Sequence, residues 1–382
     1  IIVCRGDKTM STSKEYKEFI LEQLELLDNI TCKAMMGEFL LYYNNVLFGG
    51  IYDNRLLVKI VDTNKKYSMQ EQIPYETAKP MYLVDDVDNK ELLKQDIDVA
   101  VVCTDVRDHV AVTEEILGMG IHVVLEKPMA LSMEGAKRMY RAHKKSKGEL
   151  IVNWPIAWFA SFRKAKELAD SGVIGDVQRV QYRSPSTRGP YKLNEYTPEE
   201  LSKLWWYQSE KGGGSICDYA GYGCVIATWI TGKVAKKVYG IKKNFFLPFS
   251  DVEDYSQFTI DFGDCIGLIE GSWSTMNNGE IPTGPVIYGS EGVIVADRFN
   301  PEVKVYKDLI PYQPSPKPNA IYVPEDSGES LGTNLIALIR EGKPVNEMLS
   351  ADFNMKVMSA FDAGIRSCKS GVVEMTEEPF QF

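Results

Sequence analysis

Residues 96–130 read DIDVAVVCTDVRDHVAVTEEILGMGIHVVLEKPMA, and this stretch decides the fold class. An apolar run at 97–103 is followed by a helical pattern and then by a second apolar run that ends at Glu126, Lys127 and Pro128. Short apolar strands joined through a helix are typical of a parallel sheet, whose strands are buried on both faces. The sequence therefore predicts one βαβ unit here.

The unit continues through residues 132–145, a second predicted helix with Ser132 as its N-cap, and ELIVN at 149–153, a third predicted strand. Residues 96–153 thus resemble the C-terminal half of a Rossmann-like, dinucleotide-binding domain. In such a domain a G-x-G-x-x-G turn after the first strand holds the pyrophosphate. No G-x-G-x-x-G occurs anywhere in the 382 residues.

Composition excludes several other classes of protein. The chain has 44% apolar residues and is long enough for two or three domains. Its net charge of −10, from 43 basic and 53 acidic side chains, argues against nucleic acid as a partner. Only three histidines and no H-E-x-x-H spacing predict no metal site. No long apolar run predicts a membrane span, and the seven cysteines form no C-x-x-C pair, so we expect reduced thiols in a cytoplasmic protein.

Residues 10–95 predict a small α+β module. Ser13 is a suitable N-cap for a helix that runs to Leu27. Strands are predicted at FLLYYNN, VLFGGIYD, RLLVKIVD and PMYLVDD, with turns at Gly37, at Asn44-Asn45 and at Asp53-Asn54. Because short strands joined by hairpins do not extend a parallel sheet, we expect this module to fold separately.

This module resembles the N-terminal domain of the TfoX family. The matching stretches are SKEYKEFILEQL, MMGEFLLYYNNVLFGGIYDNRLLVK and AKPMYLVDD. The TfoX family is linked with the regulation of natural competence, so the resemblance implies a role in protein interaction.

Residues 154–382 predict a large α+β domain with an open antiparallel sheet. Long strand patterns occur at VQRVQYRS, KKVYGIKKNFF, SQFTIDFG and CIGLIEGSWST, and PVIYGSEGVIVAD reads as a hairpin that turns at 289–292. Helices are predicted near 330–341 and 351–370. Several strands are apolar on both faces, and helices can cover only one of them, so we expect the other face to form homo-oligomers.

Two motifs contain the residues that are suited to chemistry. Lys127 follows a parallel strand, at the edge of the sheet where ligands of α/β folds bind. The segment GGGSICDYAGYG at 212–223 predicts a tight loop and then a helix that begins near Ser215. Asp218 and Tyr222 are four residues apart on that helix, hence on one face. An acid and a phenol in this arrangement form either a proton-handling pair or a structural hydrogen bond.

From residue 96 onward the chain resembles the Gfo/Idh/MocA family of NAD(P)-dependent oxidoreductases. The resemblance rests on DIDVAVVCT, on the T-x-x-x-x-H of Thr104 to His109, and on GIHVVLEKP, GGGSICDYAGY and GSEGVI in that order. It implies that Lys127, Asp218 and Tyr222 are the catalytic residues, with tyrosine at a position where other branches have histidine. It also implies that a nicotinamide cofactor, NAD or NADP, contacts Thr104, His109, Glu126, Lys127 and Pro128.

The resemblance implies oxidation of a sugar or cyclic-polyol hydroxyl. Hydride transfer to a nicotinamide requires a base for the hydroxyl proton, and the resemblance implies Tyr222 for that role. Tyrosine has an ordinary pKa of about 10. We therefore expect a cationic Lys127 beside it to lower its pKa, and Asp218 to orient the pair. Aromatic residues that could line a sugar-sized pocket are Trp154, Trp158, Trp205, Trp206 and Tyr207.

The missing glycine-rich turn leaves a second hypothesis open. The chain would then be a non-enzymatic fusion or hybrid, in which a TfoX-like interaction module is joined to an oxidoreductase scaffold without a cofactor site. Backbone N–H groups and the helix dipole supply much of the binding of a pyrophosphate, so their absence should weaken dinucleotide binding strongly.

Overall fold

The structure is a computed structural model that describes residues 12–24, 29–35, 38–67, 69–75, 78–84, 97–186, 189, 195–277, 279–307 and 317–381. It divides into two compact units, residues 1–96 and residues 97–382. The boundary predicted between residues 153 and 154 falls inside the second unit and stays a prediction.

The first unit contains one helix and a six-stranded antiparallel sheet. Helix α1 is Lys14–Gln23, and the strands are β1 Ile30–Met35, β2 Glu38–Tyr43, β3 Val46–Tyr52, β4 Arg55–Lys59, β5 Glu71–Gln72 and β6 Met81–Leu83. Their order in the sheet is β1-β2-β3-β4-β6-β5. Ile20 of α1 packs on Leu41 and Ile51 of the sheet, and all three are fully buried.

Local sequence signals account for most of this unit. The Ser13 hydroxyl accepts a hydrogen bond from the Tyr16 backbone N–H at 3.1 Å, which makes it the N-cap of α1 as expected. Both predicted hairpin turns are present, with φ of 48° and 63° at Asn44 and Asn45 and 50° and 53° at Asp53 and Asn54. Two residues with positive φ define the type I′ turn, which matches the twist of the flanking strands.

One detail of the first unit differs from the sequence-based prediction, and two other predicted features lie outside the described residues. Strand β1 was not predicted, although its Cys32 pairs with Leu41 of β2. The predicted helix to Leu27 is described only to Gln23, and Leu27 lies outside the described residues. The turn expected at Gly37 also lies outside them.

The second unit begins with a three-stranded parallel sheet in the order β7-β8-β9. Its strands are β7 Val99–Val102, β8 His122–Glu126 and β9 Leu150–Asn153, connected by α2 His109–Gly118 and α3 Met133–Lys145. The βαβ prediction is therefore confirmed. Ser132 caps α3 by accepting a hydrogen bond from the Gly135 N–H at 3.2 Å. Parallel pairing brings the ends of β7, β8 and β9 to the same edge.

A nine-stranded sheet follows, in the order β17-β16-β15-β14-β10-β13-β12-β11-β18. Its strands are β10 Val177–Pro185, β11 Lys237–Lys243, β12 Tyr255–Asp261, β13 Ile266–Ser272, β14 Val286–Gly289, β15 Val293–Val295, β16 Val303–Tyr306, β17 Ala320–Tyr322 and β18 Glu374–Met375. The sheet is not purely antiparallel as predicted, because its central strands β10 and β13 run parallel. The consecutive strands β12 and β13 pair antiparallel, whereas β10 and β13 are separated by the whole stretch 186–265 of the chain.

Helices cover one face of this sheet. The helices after α3 in the described residues are α4 Ala160–Asp170, α5 Pro198–Lys203, α6 Gly221–Thr231, α7 Leu331–Glu341 and α8 Ala351–Ser370. Of these, α4, α6 and α8 make the main contacts with the sheet. Alternate strand residues such as Val238, Phe258 and Ile269 are buried beneath them. The side chains of Tyr239 and Ile241, on the opposite face of the sheet, are 40% and 41% exposed.

Candidate active site

Lys127 lies at the carboxyl end of β8, and its side chain is only 14% exposed. The peptide bond between Lys127 and Pro128 is cis. On the same strand end, the Glu126 carboxylate accepts a hydrogen bond from the Asn153 amide of β9 at 2.7 Å. The end of β8 thus places a cation and a carboxylate at this edge of the sheet, and the end of β9 adds an amide.

The glycine segment brings the second group of residues toward this edge. At Gly213 a Cβ atom would lie 2.2 Å from the Trp206 carbonyl oxygen, so no larger residue fits without movement. Gly214 has φ of 100°, a conformation that other residues rarely adopt. The buried Glu253 carboxylate accepts the Ile216 N–H at 2.9 Å, directly after this loop. The chain therefore enters the next helix along a path that glycine permits and Glu253 fixes.

The helix after the loop starts with a π-helical turn at Ile216–Ala220 and continues as α6. This differs from the regular helix that the sequence predicted. A π turn contains one more residue per hydrogen-bonded ring than an α turn. The spacing of Asp218 and Tyr222 is consequently not that of one α-helical face, yet both side chains meet Lys127.

Asp218 is hydrogen-bonded to both Lys127 and Trp273. Its Oδ1 accepts a hydrogen bond from Lys127 Nζ at 2.7 Å, and its backbone carbonyl accepts another at 3.0 Å. Its Oδ2 accepts a hydrogen bond from the indole Nε1 of Trp273 at 2.9 Å. Sequence reasoning missed Trp273, which is fully buried and follows β13. Its only signal was the SWST end of a predicted strand, which carries no hint of this contact.

Tyr222 lies beside the same ammonium group. Lys127 Nζ is 5.0 Å from the centre of the Tyr222 ring, and the Trp154 ring meets Tyr222 edge-on at 5.2 Å. Tyr222 is half-buried, and its hydroxyl has no hydrogen bond to the described residues. A phenol held by its ring with an unpaired hydroxyl is suited to exchange a proton with a ligand.

The expected lowering of the Tyr222 pKa is wrong in its net direction. Burial raises the pKa of Tyr222 above its ordinary value, and the opposite effect of Lys127 does not compensate for it. The reason is that Lys127 is already paired with Asp218, whose carboxylate also raises the pKa of Tyr222. Tyr222 is therefore protonated at neutral pH.

Lys127 is charged at any ordinary pH. Burial alone lowers the pKa of an ammonium group, but the Asp218 carboxylate outweighs this effect and the net pKa of Lys127 lies above its usual value. Two of its three N–H donors go to Asp218. The third has no acceptor among the described residues and is available to a ligand.

His109 links the ends of β7 and β8 and does not itself reach outward. Its Nδ1 lies 3.1 Å from the Pro128 carbonyl oxygen and its Nε2 lies 3.2 Å from the Thr104 carbonyl oxygen. Burial lowers the pKa of His109, so the ring is neutral near pH 7 and donates to one carbonyl at a time. His109 therefore positions the backbone on either side of the crevice.

The end of β7 and the turn after it offer a dinucleotide one polar contact but no glycine-rich turn for its phosphates. Thr104 Oγ1, at the end of β7, is buried and has no hydrogen-bond partner among the described residues, so it can serve a polar ligand group. The turn between β7 and α2 has no glycine, and its Arg107 N–H already donates to the Lys211 carbonyl. The described residues therefore provide no cradle for a pyrophosphate.

The predicted aromatic residues divide into core and surface. Trp154 and Tyr207 are buried, whereas Trp205 and Trp206 stack on each other at 3.9 Å and stay half-buried. Trp158 is half-buried as well. A cavity of about 640 Å³ lies between residues 277–282 and 295–304, and Lys127, Asp218 and Tyr222 do not line it. The site is accordingly identified by its side chains and not by this cavity.

Two family models match the chain, and together they cover more than half of it. The model described as "Oxidoreductase family, NAD-binding Rossmann fold" matches residues 49–154, and the one described as "GFO/IDH/MocA C-terminal domain" matches residues 162–295. The chain belongs to the Gfo/Idh/MocA oxidoreductase family. The first match extends into the first unit, where the described residues form the antiparallel strands β3, β4, β5 and β6. The TfoX resemblance stays a prediction.

Relatives in this family include enzymes with sugar-like ligands. Glucose-fructose oxidoreductase domain-containing protein 1 of Xenopus tropicalis is 24% identical over 81% of this chain and 85% of its own length. Among solved structures, aldose-aldose oxidoreductase of Caulobacter crescentus with glycerol matches with TM-score 0.60, 19% identity and coverage of 75% and 81% of the two chains. The WlbA dehydrogenase of Bordetella pertussis, with NADH and UDP-GlcNAcA, matches with TM-score 0.58, 20% identity and coverage of 75% and 82%. These structures share the fold.

The described part of the chain has neither a metal-binding cluster nor a membrane-spanning helix. No cluster of His, Cys, Asp and Glu there has the arrangement of a metal site. None of the helices in the described ranges is both long and apolar enough to cross a membrane.

Proposed function

We propose that this chain is a nicotinamide-dependent oxidoreductase that interconverts a hydroxyl and a carbonyl group on a sugar or cyclic polyol. The observation that carries the proposal is the convergence of Lys127, Asp218 and Tyr222 at the carboxyl end of β8. Ligands of open α/β sheets bind at this edge. The levoglucosan dehydrogenase structure with NADH and levoglucosan, with TM-score 0.60 and 18% identity, supports the substrate class.

In this proposal the side chains handle the proton. A nicotinamide supplies the hydride acceptor or donor at its C4 carbon. Tyr222 is protonated near neutral pH, so it donates a proton to the carbonyl oxygen during reduction and takes one back during oxidation. The free N–H of Lys127 binds the same oxygen and stabilises the negative charge that develops there. Asp218 fixes the position of Lys127 through a hydrogen bond. Asp218 is itself held by a hydrogen bond from the Trp273 indole.

The second candidate is a non-enzymatic hybrid without a cofactor site. The observations in its favour are the absence of a G-x-G-x-x-G in the sequence and the turn after β7, which has no glycine. In this case Thr104 Oγ1 would stay buried without a partner, and the Tyr222 hydroxyl would bind only water. Titration of the full chain with NADH and with NADPH, read by nicotinamide fluorescence, separates the two candidates.

We expect saturable binding of one of the two nucleotides. Thr104→Val should weaken it about 10-fold, because the variant removes a hydroxyl that bonds to nothing else in the described part of the chain. Its thermal stability should be unchanged, which excludes a purely structural role. A chain that binds neither NADH nor NADPH at millimolar concentration would favour the hybrid.

A further inference from the structure

Arg298 lies in the turn between β15 and β16, on a backbone that is fixed by its neighbours. The Asp297 carboxylate accepts hydrogen bonds from the Thr283 N–H at 2.7 Å, the Thr283 hydroxyl at 2.9 Å and the Phe299 N–H at 2.7 Å. The Arg298 N–H donates to the Thr283 hydroxyl at 3.2 Å. In addition, the Ser161 hydroxyl of α4 donates to the Asp297 carbonyl at 3.3 Å. The position of Arg298 is therefore set without any contribution from its guanidinium group.

That guanidinium group has no acceptor among the described residues. It lies against two aromatic rings, 6.0 Å from the centre of Phe159 and 5.4 Å from that of Phe299. Other arginines of this unit are paired: Arg163 donates to the Ala157 carbonyl at 3.2 Å, and Arg183 to the Glu270 carboxylate at 3.1 Å. Arg298 is exposed, and its five N–H donors are available to a ligand.

A short segment of chain, 154–159, connects the free cation to the candidate active site. The charge of Arg298 acts to lower the pKa values of Tyr182, Tyr219 and Tyr222, so it lies within electrostatic reach of three phenol groups. One of them is the proposed acid/base. Phe159, under the guanidinium, stands at the start of α4, a few residues after the carboxyl end of β9. Trp154, at the other end of this segment, packs edge-on against Tyr222 at 5.2 Å, so Arg298 lies beside a segment that borders the candidate site.

The two cations of the site differ in what they can bind. Lys127 is neutralised by Asp218 at 2.7 Å, whereas Arg298 has no counter-ion among the described residues. The Glu126 carboxylate, which also acts on Tyr222, is hydrogen-bonded to Asn153. An unpaired guanidinium is the group that proteins use for planar oxyanions, which it binds with two parallel hydrogen bonds. A single carboxylate matches its single charge, whereas a phosphate carries about −1.5 to −2 and usually requires more donors.

We propose that Arg298 binds a carboxylate of the substrate, so that the substrate is a sugar acid and not a neutral sugar. The inference rests on the proposed function for the location of the substrate, between Arg298 and the Lys127–Tyr222 pair. It deepens that function by naming the charged group that selects the substrate.

The test is direct binding in the absence of any nicotinamide. The full chain is titrated by calorimetry with glucuronate and gluconate, with glucose and the methyl ester of glucuronate as neutral counterparts, and with glucose 6-phosphate. We expect at least one carboxylate to bind about 10-fold or more tightly than its neutral counterpart. Arg298→Gln should abolish this preference and Arg298→Lys should retain part of it. Arg340→Gln is the control. It removes one positive charge from α7, outside the turn that contains Arg298, and should leave the preference for carboxylates unchanged.

Equal binding of charged and neutral sugars, a preference that survives Arg298→Gln, or no binding of either carboxylate would overturn the inference. Tighter, Arg298-dependent binding of the phosphate would overturn the choice of carboxylate. Failure of the proposed function looks different: sugar acids would bind through Arg298, but the chain would neither bind nor turn over NADH or NADPH. Conversely, a chain that turns over neutral sugars equally well with and without Arg298→Gln would contradict the role of Arg298 and leave the proposed oxidoreductase function intact.

Discussion

A single oxygen atom at Tyr222 distinguishes a proton-transfer site from a structural cluster. Tyr222→Phe keeps the ring contacts with Lys127 and Trp154 and removes only the hydroxyl, which bonds to no described residue. We expect turnover to fall by roughly 10²- to 10⁴-fold, the usual contribution of a positioned acid or base. Steady-state kinetics of the variant and the wild type, with the same cofactor and substrate, measure this loss. The melting temperatures of both proteins check that the variant is folded.

Tyr239→Phe is the matched control for this prediction. It removes the same atom from a half-exposed tyrosine on the face of the large sheet that the helices do not cover. Its turnover should equal that of the wild type. A Tyr222→Phe variant with wild-type kinetics would leave Tyr222 as a packing residue.

The ion pair of Lys127 with Asp218 predicts that stability and turnover respond differently to substitutions at these two residues. Lys127→Met leaves the largely buried Asp218 carboxylate without its partner, which should cost about 3 kcal/mol of unfolding free energy. Adding Asp218→Asn removes the unpaired charge and should restore a large part of that free energy, while turnover stays low in both variants. Chemical denaturation and kinetics on the same samples measure the two effects. If turnover recovered together with stability, Lys127 would have only a structural role.

Glu253 predicts a pH dependence of stability with a defined sign. Burial raises the pKa of Glu253 above its ordinary value, so between the ordinary and the raised pKa the folded chain binds more protons than the unfolded chain. The unfolding free energy contributed by this group therefore falls as pH rises through that window. Glu253→Gln keeps an oxygen for the Ile216 N–H and cannot ionise.

We expect the decrease in unfolding free energy from acidic to neutral pH to be smaller in Glu253→Gln than in the wild type. Asp251→Asn serves as a comparison, because hydrogen bonds from Ser209 lower the pKa of Asp251 and give its contribution the opposite sign. Denaturation curves at several pH values measure both slopes. A slope unchanged by Glu253→Gln would contradict the prediction.

At the level of elements, the two type I′ hairpins allow a matched pair of substitutions. Asn45 has φ of 63° and an exposed side chain without a hydrogen bond to the described residues. Asn54 has φ of 53°, but its Oδ1 also accepts the Ser13 N–H at 2.8 Å, beside the N-terminus of α1. Asn45→Gly should leave stability unchanged or slightly raised, because glycine prefers this conformation. Asn54→Gly should cost about 1 kcal/mol, because it loses a hydrogen bond. Thermal denaturation measures the difference, and equal effects would argue against the contact with Ser13.

These elements also show what the sequence can predict. Helix α3, both hairpins and the βαβ unit follow from local signals: a capping serine, paired positive-φ residues and apolar strands around a helix. The π turn at 216–220 could not be predicted in this way, because it depends on Glu253, which binds the Ile216 N–H from a distant part of the chain. The same reason applies to Trp273, which is 55 residues from Asp218. Lys127, Asp218 and Tyr222 were each indicated by local motifs, but the expectation that they act at one site came from the family resemblance, which already contains such long-range contacts.

At the scale of the whole molecule, the open face of the large sheet predicts self-association. Tyr239, Ile241 and Ile266 are between 40% and 44% exposed there, and Arg179 Nε and Glu270 Oε1 are buried without a hydrogen-bond partner among the described residues. Exposed apolar side chains beside unpaired polar atoms are typical of a surface that meets a partner. We expect light scattering at micromolar concentration to give at least twice the mass of one chain.

Ile241→Glu should shift this mass toward that of a single chain, because it places a charge on the open face. Ile339→Glu is the control, since Ile339 on α7 is 40% exposed and lies outside the sheet. A wild-type chain with the mass of a monomer, or equal effects of both substitutions, would contradict the prediction.

Strand β7 has a consequence for amide hydrogen exchange. It pairs with β8 alone in the described part of the chain, and Val101 on it is 61% exposed. Amide protons of β7 that point away from β8 should therefore exchange with deuterium quickly, whereas those of β8, flanked on both sides, should be protected. A strand that added to this edge, from any chain, would slow exchange at β7 and leave β8 as it was. Deuterium uptake at residues 99–102 thus reports whether the parallel sheet is extended in solution.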